Sequence, residues 1–112
     1  MKRTLLLAAA GLLAVALVAC GGTSLDDIEP VEGVSTVAVD DNVFEPRVIR
    51  IPAGTEVVWE WEGGARHNVV GDGGFQSDLL REGTFTHVFD TPGTYNYICT
   101  LHGGMTGRVI VQ

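Results

Sequence analysis

The sequence predicts an all-β domain, an antiparallel sandwich or barrel of about seven short strands. Three observations carry that prediction. From Val34 onward apolar residues recur with a period of two. Turn-forming clusters interrupt those runs at short intervals: Pro52-Ala53-Gly54, Gly63-Gly64, Gly71 to Gly74 and Pro92-Gly93. No stretch of this region carries a sustained helical period, and the only helical expectation is one turn at Ser77–Leu80.

The elements follow in order. Val34–Val39 and Val48–Ile51 read as the first two strands. In "TEVVWEW", Val57, Trp59 and Trp61 share one face while Glu56 and Glu60 share the other, the pattern of a half-buried strand. Trp59 and Trp61 are therefore expected in the core. His67–Val70 follows the Gly63-Gly64 turn as a short strand. "TFTHVF" aligns Phe85, His87 and Phe89, and "TYNYIC" aligns Tyr95, Tyr97 and Cys99. Arg108–Val111 closes the chain.

The N-terminal third differs in composition. Residues 1–19, "MKRTLLLAAAGLLAVALVA", pair Lys2 and Arg3 with an apolar run ending in small residues, the layout of a secretory signal. Cys20 follows at once, and "LVAC" with Gly21-Gly22 resembles the lipobox of prokaryotic lipoproteins. That resemblance implies cleavage before Cys20 and a diacylglycerol on its sulfur. Residues 20–33, small, acidic and broken by Pro30, are expected to form a flexible tether, with the domain occupying 34–112.

Without residues 1–19 the chain has 14 acidic and 5 basic residues, a net charge of −9, and all five cations are Arg. That balance disfavours nucleic acid and anionic lipid as partners. It favours a basic patch on another protein, or a high-salt medium. A lipidated Cys20 leaves Cys99 as a lone thiol in an oxidising compartment, a liability unless it is buried or bound.

Cys99, His102 and Met105 stand three residues apart in one Gly-rich turn between two strands. Thiolate and thioether are soft donors that suit copper, and imidazole accompanies them in many sites. His67, opening "HNVV", is the best fourth donor. Two His, one Cys and a weak Met form the trigonal site with a long axial bond that defines blue copper; zinc more often recruits a second Cys or a carboxylate. A Cys-x-x-His pair, a Met or a His alone would each read as packing. His87, on a face with Phe85 and Phe89, is expected as a half-buried strand residue.

The chain resembles the type 1 blue copper proteins, or cupredoxins, of the plastocyanin, amicyanin and halocyanin branch. The stretches that carry the resemblance are "NVFEPRVIRIPAGTEVVWEW", "HNV", "FDTPGTYNYICTLHGGM" and "GRVIVQ". It implies a Greek-key β-sandwich of 7–8 strands and one copper ion held by His67, Cys99, His102 and Met105. Asn68 and Thr100 occupy the positions that tie the two ligand loops together, the Asn68 amide facing the thiolate. The short C-x-x-H-x-x-M loop is most similar to amicyanin, and Leu101 stands where Pro is usual.

The resemblance further implies a monomeric one-electron carrier, not an enzyme, cycling between Cu(I) and Cu(II). Electrons would pass through the edge of His102 inside a ring drawn from Leu101, Gly103, Gly104 and Val43 or Phe44. Partners would be redox proteins such as a c-type cytochrome, a respiratory or photosynthetic complex, or a terminal reductase or oxidase. Lipid on Cys20 would confine the search to the outer face of the cytoplasmic membrane. Copper storage or delivery is the competing reading, disfavoured by only two Met in the chain. Three histidines leave none for the further copper sites of an oxidase or nitrite reductase.

Overall fold

The computed structural model describes residues 23–112, so the signal segment and Cys20 lie outside the described residues. Nine strands form two sheets: β1 Val31–Glu32, β2 Thr36–Asp40, β3 Val43–Glu45, β4 Val48–Ile51, β5 Thr55–Trp61, β6 Val70–Gly71, β7 Gly83–Phe89, β8 Gly93–Ile98 and β9 Thr106–Val111. One sheet has the order β1-β4-β9-β8-β6, the other β3-β2-β5-β7. The fold is the expected all-β sandwich. Its pairing is mixed rather than antiparallel, because β1–β4, β2–β5 and β4–β9 run parallel. Parallel neighbours need long connections, and here the chain supplies them by crossing to the opposite sheet between partners.

Three further expectations change. Ser77–Leu80 forms no helical turn; Leu80 makes an isolated bridge to His67, and Gln76 one to Val70. His67–Val70 is correspondingly not a regular strand, since pairing in a ladder begins only at Val70. Part of the acidic segment read as a tether is docked on the domain. Leu25–Asp27 forms a 3-10 turn capped by Ser24, Asp26 pairs with Arg108 at 2.7 Å, and β1 adds to the sheet beside β4. Arg47 Nη1 donates to the Thr23 carbonyl at 2.9 Å and Arg50 pairs with Glu32 at 3.0 Å, so arginines of the domain hold this acidic stretch. Among the described residues no helix is long and apolar enough to cross a membrane.

The period of two sets the core. Inward positions of β5 bury Val57, Trp59 and Trp61, while Glu56 and Glu60 stay exposed. Trp59, fully buried, lies among Phe75, Phe85, Phe89 and Tyr97, with centroid separations of 5.8, 5.5, 6.4 and 5.4 Å. Such offset and edge-on contacts add to the area that each ring buries. β8 continues the inward line from Tyr97 to Cys99, so the thiol sits at the end of the aromatic core. Val39 pairs with Trp61 in the parallel β2–β5 ladder, which makes the turn after β2 and the loop after β5 emerge side by side. That juxtaposition builds the site.

Candidate metal centre

Two segments carry the donor side chains. His67 lies in the connection between β5 and β6; its amide donates to the Leu80 carbonyl at 2.9 Å, and its carbonyl accepts from Leu80 N and from Trp61 Nε1 at 3.1 Å. Trp61, expected only as core, therefore also pins the backbone of His67. The second segment is the loop between β8 and β9. Cys99 N donates to the Met105 carbonyl at 3.0 Å and Met105 N to the His102 carbonyl at 3.2 Å, closing the loop on itself. Gly104 turns the chain with φ of +81°, a conformation that side chains with a Cβ rarely adopt.

The donors converge. One ligating atom each from His67, Cys99 and His102 lies within 4.8 Å of the others. Cys99 Sγ is 3.8 Å from Nδ1 of His67 and 3.6 Å from Nδ1 of His102, so both imidazoles turn the same nitrogen to the sulfur. His67 is fully buried, Cys99 and Met105 are buried, and His102 is half-buried. Three of the four candidates from the sequence, His67, Cys99 and His102, thus meet at one end of the core, and Met105, itself buried, closes the loop that holds two of them. A buried thiol beside two imidazoles, with a thioether in the same loop, is a donor set suited to copper, and these residues fit that ion. A thiol shielded in this way is also no longer the liability an exposed one would be.

Asn68 and Thr100 form the expected tie between the two segments. Thr100 N donates to Asn68 Oδ1 and Asn68 Nδ2 to Thr100 Oγ1, each at 2.9 Å. Among the described residues no backbone amide donates to the sulfur, so the expected contact from the Asn68 amide is not formed. Behind them Val69 N donates to Ser77 Oγ at 2.8 Å, fixing the segment after Asn68.

Two residues fall outside the places expected for them or were not foreseen. Phe44 is not part of the ring around His102: β3 alternates so that Phe44 points inward, fully buried, edge-on to Tyr97 at 4.7 Å. Leu101 is 51% exposed and can serve such a ring. Asp41, in the turn after β2, carries no expectation from the sequence, yet its Oδ1 accepts from His67 Nε2 at 3.1 Å. Nothing in the local spacing signals that contact. His87 keeps to the sheet, stacked on Phe75 at 5.1 Å.

Residues 31–112 match the family described as copper binding proteins, plastocyanin/azurin family. The chain belongs to that family. It is 40% identical to a halocyanin of Natronomonas pharaonis over 99 residues, 80% of this chain and 59% of the halocyanin. It is 33% identical to amicyanin-alpha of Methylorubrum extorquens, covering 98% of this chain and 99% of that one. Its fold matches a purple cupredoxin from Nitrosopumilus maritimus with a TM-score of 0.66 and 25% identity, over 70% of this chain and all of that one. As a type 1 copper protein, this cupredoxin has one cofactor, a copper ion. The chain spans about three fifths of the halocyanin's length, as the 59% coverage states.

Proposed function

We propose that this cupredoxin is a one-electron carrier, with copper held by His67, Cys99, His102 and Met105, working at the outer face of a membrane to which lipidated Cys20 anchors it. The observation that supports it most is the convergence of two imidazole Nδ1 atoms on a buried thiol. Copper bound there supplies a single-electron Cu(I)/Cu(II) couple. The protein supplies the rest. Its β8–β9 loop, closed by hydrogen bonds at both Cys99 and Met105, holds the donors in one arrangement for both oxidation states. The Asn68–Thr100 tie fixes that loop against the segment bearing His67. The aromatic core behind Cys99 excludes water from the sulfur.

His102, half-buried beside exposed Leu101, offers the route to a partner. A small apolar contact on a chain of net negative charge would give a transient, salt-sensitive complex with a basic redox protein, such as a c-type cytochrome or a membrane oxidoreductase. The docked acidic segment from Thr23 leaves only a short reach to Cys20, so the domain would stand close to the lipid surface. Halocyanin and amicyanin-alpha among its relatives support the carrier reading over storage.

Redox cycling tests it. Copper-loaded protein is expected to take one electron per chain from ferrous cytochrome c, bleaching its visible band, and to return it to ferricyanide with the metal retained. Loss of copper during the cycle would favour storage or delivery instead. The anchor is tested separately: Cys20→Ala, expressed in a prokaryotic host, should move the domain from the membrane to the soluble fraction. A variant that stays membrane-bound would refute lipidation at that cysteine.

A further inference from the structure

Among the described residues Asp41 is the one carboxylate that touches the donor set, and its position is built. The chain leaves β2 at Asp40, turns through Asp41 and Asn42, and enters β3 at Val43 opposite Asp40. Asn42 takes φ of +66°, a left-handed conformation that Asn tolerates better than most residues. The turn places the Asp41 carboxylate over the loop after β5. Its Oδ2 accepts from Gly64 N at 3.2 Å, and its Oδ1 accepts from Ala65 N at 2.9 Å and from His67 Nε2 at 3.1 Å. Gly63 lets the two segments come so close, since a Cβ there would run into the Asp41 carboxylate and backbone nitrogen. A carboxyl as exposed as this one is ionised near neutral pH.

The opposite edge of the same imidazole faces the thiol, with Nδ1 at 3.8 Å from Cys99 Sγ. A carboxylate accepts hydrogen bonds and donates none. The proton of neutral His67 therefore belongs on Nε2, and the lone pair on Nδ1. We propose that Asp41 is a positioning residue of the copper centre: it locks His67 in the Nε2–H tautomer, and its negative charge favours the Cu(II) state over Cu(I). Carboxylate partners of metal-binding histidines orient the ring and raise its basicity, and losing one costs about 10–100-fold in metal affinity. A donor made more basic, with a fixed anion behind it, favours the higher charge on the metal and so lowers the reduction potential.

The competing role is mechanical. Asp41 also caps the Gly64 and Ala65 amides, and a residue that only shapes the loop would leave the potential unmoved. This inference rests on the copper reading but not on the anchor, and the experiment keeps those apart. Wild type, Asp41→Asn and Asp41→Ala are loaded with Cu(II), and a visible charge-transfer band with one copper per chain is checked first; its absence from wild type would defeat the copper reading itself. Reduction potentials are then measured at low and high salt. Asn retains an acceptor oxygen for the loop and loses the charge. It is expected to weaken Cu(II) relative to Cu(I) binding about tenfold, which is a rise of about 59 mV for a one-electron couple. Because the Asp41 side chain is 49% exposed, the gap should shrink as salt approaches 1 M.

A potential unchanged in Asp41→Asn at low salt would overturn the proposal, whatever happens to the melting temperature. Nitrogen-15 spectra of the metal-free wild type give an independent reading. They should show His67 protonated at Nε2; protonation at Nδ1 would overturn the tautomer assignment even if Asp41→Ala failed to fold.

Discussion

Copper-loaded Cys99→Ser is expected to be colourless in the visible, with the fold of the metal-free protein intact. An intense band requires charge transfer from a thiolate, and a serine hydroxyl neither ionises near neutral pH nor offers a soft donor. Cu(II) affinity should fall by more than the about 10–100-fold that loss of an outer hydrogen-bond partner brings. Stability of the metal-free chain should change little. The new hydroxyl is buried, but it faces Nδ1 of both His67 and His102, so it finds a partner instead of costing the about 1–3 kcal/mol of an orphaned polar group. Absorption titration with Cu(II) and thermal melting of the metal-free variant measure the two effects. A persisting intense band would remove Cys99 from the metal. A collapse in melting temperature without metal would mean that the thiol mainly supports the core.

The convergence of His67 with Cys99 and His102 was legible in the sequence because the latter two lie within one short loop, and the ladder on either side could be read from its period of two. Trp59 and Trp61 were legible for the same reason. The rest depends on contacts between distant segments. β1, β3 and β6 hold two or three residues each, too few to show any period. Phe44 looked available for the surface because the alternation that turns it inward spans a single short strand. The parallel pairings arise when the chain crosses between sheets, and local turn signals say nothing about that. Asp41 was invisible on the same account: its contact with His67 exists only because β2 and β5 run parallel in the register that sets Val39 beside Trp61. The docking of the acidic segment likewise rests on Arg47 and Arg108, far along the chain.

Trp59→Ala is expected to bring the metal-free domain close to its unfolding midpoint and to leave the copper-loaded one folded. Trp59 is fully buried and in ring contact with four aromatic residues. Truncating so large a core side chain costs about 3–5 kcal/mol. Folded domains hold roughly 0.05–0.15 kcal/mol per residue, so a unit of this size has about 4–12 kcal/mol in all. The loss takes a domain in the lower half of that range close to its midpoint. Metal that binds only the folded chain works in the opposite direction, adding about 2.7 kcal/mol when free copper is 100 times its dissociation constant. The proposed binding residues themselves are untouched, because β5 carries none of His67, Cys99, His102 and Met105. Urea unfolding followed by circular dichroism, with and without copper, reads both terms. The gap between loaded and metal-free midpoints should be similar in wild type and variant, while both midpoints move down together in the variant. If the variant loses copper affinity along with stability, the aromatic core and the metal loop are one cooperative unit, and Trp59 shapes the site rather than merely supporting it. If the metal-free variant melts within about 5 °C of wild type, a shift worth only about 1 kcal/mol in a domain of this size, the core is not centred on Trp59.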